Sequence, residues 1–120
     1  MTVTGIGGIF FRAKDPEALN AWYSRHFGVN DMNVNYEPWV QQHGPTVFAL
    51  FPADTEYFGS QSQQFMLNFR VNNLDQLVSQ LQADNVRFVK DVEDQDGLGR
   101  FASIEDPEGN RVELWEPQVD

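Results

Sequence analysis

Residues 104–117 read IEDPEGNRVELWEP, and no other part of the sequence is as informative about the fold. Its centre, Asp106 to Asn110, contains proline, glycine, asparagine and aspartate within five residues, which is a strong turn signal. The flanking segments, Arg100 to Ile104 and Arg111 to Trp115, are apolar enough to be strands. The pattern therefore predicts a pair of strands joined by a short turn, with Glu113 standing alone as an acid inside an apolar strand.

The residues before this stretch predict one more strand, a helix and another strand. Phe65 to Val71 and Val86 to Val92 have the composition of strands. Between them a helix begins at Asn73 and carries one apolar stripe at helical spacing, formed by Leu74, Leu77, Val78 and Leu81. Residues 91–99 are acidic and contain glycine, and without the spacing of a calcium-binding loop we expect them to form a solvated loop.

The first half of the chain repeats this order. Gly5 to Ala13 is a predicted strand, and Asp15, Pro16 and Glu17 then provide an N-cap, a first-turn proline and an acid for a helix that ends at Gly28. That helix has one apolar stripe, formed by Leu19, Trp22, Tyr23, His26 and Phe27. Further strands are predicted at Asp31 to Glu37 and Thr46 to Phe51, with a short one near Trp39 and Val40.

The two halves match in register as well as in order. Phe11 and Arg12 correspond to Phe69 and Arg70, and Leu19 corresponds to Leu77, each pair being 58 positions apart. This agreement indicates an internal duplication. We therefore predict one domain over residues 1–120, with a first module at about 1–55, a polar linker at about 53–64 and a second module at about 65–120. Neither half is large enough to close a core alone, so the two halves must pack together or join edge to edge into one domain. We expect a ligand in the concave surface between them.

Composition narrows the classes of partner. The chain has 120 residues, a formal net charge of −10 and no cysteine. The negative charge argues against nucleic acid and anionic membranes as partners, and the missing cysteine excludes disulfides, thiolate metal sites and cysteine nucleophiles. The first residues do not form a secretory signal and no segment is apolar enough to span a membrane, so a cytoplasmic location is expected.

Three segments resemble the vicinal oxygen chelate superfamily, the group of glyoxalase I, bleomycin-resistance proteins and extradiol dioxygenases. They are GGIFFRAKDPEALNAWYSRHFGV at residues 7–29, FRVNNLDQLVSQLQADNV at 69–86, and the terminal IEDPEGNRVELWEP. The resemblance implies an α+β fold in which two βαβββ modules form an open, curved mixed sheet around a cavity. Relatives often pair modules between chains, so it also implies a homodimer.

The resemblance places four metal ligands, and most of them are missing here. By position they fall on Gly8, on Ala49 or Phe48, on Met66 and on Glu113. Only the last offers an oxygen ligand for a hard cation. We therefore predict that the protein uses no metal or other cofactor. The alternative is a metal held by substitute ligands in loops, for which His43, Glu56 and Gln42 are the candidates.

The predicted cavity wall follows from strand alternation, because every second side chain faces the same side. It consists of Phe10, Met66, Asn68, Glu113 and Trp115, with Arg12 and Arg70 toward its ends. Glyoxalase-like relatives use an arginine at the position of Arg12 to hold a substrate carboxylate, although both arginines have many surface acids as alternative partners. Glu113 is either a general base with a pKa raised by an apolar cavity or a structural acid paired with Arg111 or another cation.

These residues predict a protein that binds a small aromatic or carboxylated molecule, with acid–base chemistry on Glu113 left open. The alternatives are a metal-dependent lyase or dioxygenase with non-standard ligands, and a protein–protein module whose cavity is filled by side chains. Whether the protein is an enzyme is not decided by the sequence. Tyr57, Phe58 and Trp39 flank polar loops, where they suit either a lid or a dimer contact.

Overall fold

Two helices and four strands make up the regular structure of the computed structural model, which describes residues 2–29 and 39–118. They are α1 (Pro16–Phe27), β1 (Leu67–Arg70), α2 (Leu74–Ala83), β2 (Arg87–Gln95), β3 (Gly99–Glu105) and β4 (Arg111–Pro117). Both helices and the strands of the second half were predicted from the sequence, and the α+β class is confirmed.

Local capping chemistry sets the ends of both helices. The Asp15 side chain accepts a hydrogen bond from the Ala18 backbone N–H at 3.1 Å, and Gly28 ends α1 in a left-handed conformation with φ of 68°. Asn73 caps α2 in the same way, accepting from the Gln76 N–H at 3.2 Å. These caps confirm the predicted helix starts.

The four strands form one open mixed sheet in the order β1-β4-β3-β2. β1 runs parallel to β4, and the other two neighbouring pairs are antiparallel. Strands β1 and β2 lie at opposite edges of the sheet and run in the same direction. Helix α2 connects them, as the crossover between parallel strands requires. Strand, helix and three strands thus follow one another as the βαβββ resemblance implies for the second module.

The core lies between the helices and one face of this sheet. Its fully buried side chains are Leu74 and Leu81 of α2, Ile104 of β3, and Val112 and Leu114 of β4. Leu19 and Tyr23 of α1 belong to the same cluster, and Val78 and Ala102 complete it. The apolar stripes predicted for both helices therefore face the sheet, and the opposite face of the sheet is left for other contacts.

The turn at residues 106–110 attaches α1 to the sheet. Asp106 is buried, and its carboxylate accepts hydrogen bonds from the backbone N–H groups of Glu108 and Asn110, from the Asn110 amide and from the Tyr23 hydroxyl. The Glu108 carboxylate accepts from the backbone N–H groups of Lys14 and Asp15, just before α1. Burial and the adjacent Asp106 carboxylate raise the pKa of Tyr23 well above its ordinary value.

The strands predicted at residues 5–13 and 46–51 do not form. Both segments are described, and neither pairs with a strand in the described part of the chain. A strand needs a hydrogen-bonded neighbour to be stable, and alternation of apolar residues alone does not provide one. The same holds for the short strand predicted near Trp39 and Val40. The strand predicted at Asp31 to Glu37 lies outside the described residues.

The acidic stretch at residues 91–99 is mostly strand, so the predicted loop is too long. Strand β2 continues to Gln95, and Glu93, Asp94 and Gln95 pair with Phe101, Arg100 and Gly99. The pairing is irregular on both sides of Lys90, as in a β-bulge. Backbone pairing with β3 outweighs the low strand preference of the acids, and only residues 96–98 form the turn.

Candidate functional site

The face of the sheet that points away from the helices carries a row of polar residues across all four strands. Asn68 of β1 is in register with Glu113 of β4, Glu113 with Ser103 of β3, and Ser103 with Lys90 of β2. We call these four residues the polar row. Neighbouring side chains in β4 alternate between the two faces, so Val112 and Leu114 are in the core and Glu113 is on the open face.

Glu113 lies at the centre of the polar row, and both of its carboxylate oxygens accept hydrogen bonds. Asn68 donates to Oε1 at 2.7 Å, and the hydroxyl of Tyr57 donates to Oε2. Glu113 is only 9% exposed. The sequence suggested Arg111 or another cation as a structural partner of Glu113, but the guanidinium of Arg111 donates to the backbone oxygen of Tyr57 at 3.0 Å.

Tyr57 comes from residues 53–64, the segment before β1, and lies over the polar row. Its ring stacks on Phe51, with 5.5 Å between centroids and 14° between planes, and the ammonium nitrogen of Lys90 is 5.0 Å from the ring centroid. Such a distance is within the range of a cation–π interaction. Burial, together with the hydrogen bond to Glu113 and its negative charge, raises the pKa of Tyr57 to about 12. The phenol is therefore protonated and acts as a donor near neutral pH.

The aromatic pair Phe101 and Trp115 lies beside the polar row, two register positions from the pair of Ser103 and Glu113 and on the same face of the sheet. The two rings are nearly parallel, with 6.0 Å between centroids and 8° between planes. The indole N–H of Trp115 donates to the backbone oxygen of Leu98 at 3.0 Å, which fixes the ring against the turn after β2. The open face thus offers a flat aromatic surface next to hydrogen-bonding groups.

Arg70, predicted to hold a carboxylate, is occupied by the chain itself. Its guanidinium donates to the backbone oxygens of Gln42 and Pro45 and to the hydroxyl of Thr46, at 2.9 Å for the first and 3.3 Å for the last. These bonds hold residues 42–46 against the end of β1. A ligand carboxylate would have to compete with three existing partners.

Phe10 and Arg12 lie apart from the polar row. They line an open groove of about 580 Å³ together with Tyr23, Gln63 and Arg111. Gln63 shapes this groove by bonding the backbone of Arg111 on both sides, accepting from its N–H at 2.8 Å and donating to its oxygen at 2.9 Å. The structure therefore does not bring the residues of the predicted wall together in one place. Asn68, Glu113 and Trp115 share the open face of the sheet, Met66 is half-buried just before β1, and Phe10 and Arg12 belong to the groove.

The residues present do not fit the metal site that the resemblance implies. Of its four positions only Glu113 has an oxygen ligand, and both oxygens of that carboxylate already accept hydrogen bonds. The substitute ligands His43 and Glu56 are both exposed. Within residues 2–29 and 39–118, no group of three or more His, Asp or Glu side chains is arranged to hold a metal ion.

Lys90 and Ser103 were not predicted as site residues, and Tyr57 was predicted only as part of a lid or of a dimer contact. The contact between Tyr57 and Glu113 joins positions 56 residues apart, which no local pattern reveals. Lys90 faces the row because of the irregular pairing of β2, which shifts its register against β3. The one available signal was the composition of the linker, where Tyr57 and Phe58 are the aromatic residues of an otherwise polar segment. Phe58 packs on Phe51, and Trp39 packs edge-on against Phe69.

Three solved structures share this fold at low sequence identity. TnmS3, an antibiotic binding protein from Streptomyces sp. CB03234, is 18% identical with a TM-score of 0.64, covering 98% of this chain and 99% of that one. A glyoxalase/bleomycin resistance protein/dioxygenase superfamily member from Sphaerobacter thermophilus DSM 20745 is 16% identical with a TM-score of 0.60, covering 95% and 98%. TioX from Micromonospora sp. ML1 is 16% identical with a TM-score of 0.54, covering 90% and 92%.

Comparison of the sequence itself identifies the family. No curated protein matches the chain. Neither described helix has the length and apolar character needed to cross a membrane. The family model of the Glyoxalase/Bleomycin resistance protein/Dioxygenase superfamily matches residues 5–114, which is most of the chain. The chain therefore belongs to the glyoxalase/bleomycin resistance protein/dioxygenase superfamily.

Proposed function

We propose that this protein binds a small aromatic or carboxylated molecule on the open face of its sheet, over the polar row and beside Trp115. The single observation that carries the proposal is the combination on one face of a stacked aromatic pair with a buried, doubly hydrogen-bonded carboxylate. Small-molecule sites combine apolar surface with a few well-placed polar groups in this way. The antibiotic-binding protein among the structures of similar fold supports binding as the activity to test.

The hydrogen bonds of Glu113 favour binding over catalysis. A general base must reach the proton that it removes, and here Tyr57 and Asn68 already occupy both carboxylate oxygens. Glu113 would need Tyr57 to move away before it could take a proton from a bound molecule. We therefore propose sequestration of the small molecule as the main role, without the metal of the family. Base catalysis by Glu113 is the alternative, and the experiments below distinguish the two.

The experiment is an affinity measurement by calorimetry with a panel of carboxylated aromatics and drugs. For a binder from the panel, Trp115→Ala should weaken affinity by roughly three- to tenfold, the worth of one aromatic contact. Trp39→Ala is the control, because Trp39 is a second partly exposed tryptophan, 48% exposed, and it packs against Phe69 instead. Unchanged affinity in Trp115→Ala would contradict the proposed position of the ligand.

A second variant, Glu113→Gln, separates binding from catalysis. It keeps the shape of the side chain and removes the basic carboxylate. Binding with no turnover in either form supports sequestration. Turnover in the wild type that is lost in Glu113→Gln, with affinity retained, would assign Glu113 as a base and overturn the sequestration role.

We also propose that the protein works as a homodimer. The first half exposes large apolar side chains in the two segments that lack a strand partner, including Phe10 at 91%, Leu50 at 89% and Phe48 at 81%. Exposed apolar surface and unpaired extended backbone are both satisfied by a second copy of the chain. Light scattering should give twice the mass of one chain, and Phe48→Glu should shift it toward the monomer. A monomer at all concentrations would contradict the proposal.

A further inference from the structure

The side chain of Tyr57 occupies the open face as a bound aromatic molecule would. Its ring has Phe51 as a stacking partner and Lys90 as a cation neighbour, and its hydroxyl donates to Glu113. Every part of a phenol is thus matched by a group of the protein. We propose that Tyr57 stands in for the ligand in the free protein, and that the natural ligand carries a phenolic ring which displaces it.

The Tyr57 side chain can leave the face without opening the segment that carries it. Residues 53–64 contain no helix or strand, and they are tied to β4 by the bond from the Arg111 guanidinium to the Tyr57 backbone oxygen and by the two bonds between Gln63 and the Arg111 backbone. None of these bonds involves the ring or the hydroxyl of Tyr57, so rotation of that side chain leaves them in place. A ligand that takes over the stacking, cation and hydrogen-bond contacts of the ring replaces the contacts that this rotation breaks.

The chemistry of the position selects a phenol over an anion. Glu113 accepts hydrogen bonds at both oxygens, so a carboxylate placed where the Tyr57 hydroxyl lies would meet a like charge. An apolar ring without a hydroxyl would leave a buried carboxylate oxygen without its donor, which is costly. This inference rests on the proposed function and narrows its ligand class to aromatics with a phenolic hydroxyl.

The first test removes Tyr57 and supplies its side chain as a free molecule. Calorimetry with p-cresol should show binding to Tyr57→Ala at least tenfold tighter than to the wild type, in which Tyr57 competes. Toluene and p-toluate serve as matched probes without a hydroxyl and with a carboxylate, and both should bind Tyr57→Ala at least tenfold more weakly than p-cresol. In the double variant Tyr57→Ala/Glu113→Leu, the preference for p-cresol over toluene should disappear.

A milder variant guards against loss of folding. Tyr57→Phe keeps the ring and removes only the hydroxyl, so it should compete less well and raise the affinity of the protein for p-cresol by about threefold or more over the wild type. Equal binding of p-cresol and toluene to Tyr57→Ala, or no gain in either variant, would overturn the inference. If carboxylated aromatics still bind in a Trp115-dependent manner, the inference fails while the proposed function stands. If no probe binds any form, both fail.

Discussion

Replacing Asp106 by Asn should destabilise the protein strongly. Asp106 is 4% exposed and accepts four hydrogen bonds of 2.8–2.9 Å. An Asn side chain keeps one acceptor oxygen and turns an NH₂ group toward the Tyr23 hydroxyl and the Asn110 amide, which are both donors. Hydrogen bonds to a charged group contribute about 1.5–3 kcal/mol each. Since an amide costs less to bury than a carboxylate, we expect the loss of two bonds to lower the free energy of unfolding by about 3 kcal/mol.

Urea denaturation followed by circular dichroism measures this loss, and the melting temperature should fall by roughly 10 °C for a chain of this size. Tyr23→Phe removes one of the four bonds, so it should cost about 1–2 kcal/mol. The double variant should cost less than the sum, because both single variants break the same bond. The matched control is Asp91→Asn, an exposed acid, which should change stability by less than about 0.5 kcal/mol. A change within that same margin for Asp106→Asn would contradict the prediction that the Asp106 hydrogen bonds stabilise the fold.

Three further predictions concern Tyr57, Gly99 and Arg70. Because the native state raises the pKa of Tyr57 from 10.0 to about 12, the stability that its protonated phenol contributes is complete below pH 10 and is lost between pH 10 and 12. The difference in ultraviolet absorbance between the wild type and Tyr57→Phe, followed as the pH is raised, gives the pKa of Tyr57. A midpoint near pH 10 would contradict the prediction. Gly99→Ala should lower the free energy of unfolding, measured in urea, by at least about 3 kcal/mol, because the φ of Gly99 is +127° and a Cβ would lie 2.2 Å from a backbone oxygen of β4. Gly97→Ala is the control, since φ is +81° there with open space around the position, and it should lower the same free energy by about 1 kcal/mol. Arg70→Met frees residues 42–46 and should speed limited proteolysis there, while Arg87→Met, at an exposed ion pair, should leave the cleavage rate unchanged.

The candidate site shows where local pattern stops being informative. Glu113 was recognisable because an acid inside an apolar strand after a turn of that composition is unusual. Arg70 carried the same kind of signal, but its guanidinium is used by residues 42–46. Sequence alternation assigns a side chain to a face of a strand, and it cannot say which other segment reaches that face first.

What the sequence determined by itself is the set of features whose causes lie within a few residues. Helix caps at Asp15 and Asn73, the apolar stripes of the helices and the turn at 106–110 are of this kind, because neighbouring side chains satisfy or bury the groups concerned. The tertiary structure alone decided the pairing of Tyr57 with Glu113 and the attachment of α1 through Asp106, which join residues 56 and 83 positions apart. It also decided that residues 5–13 and 46–51 are not strands, since a strand exists only where another backbone supplies its hydrogen bonds.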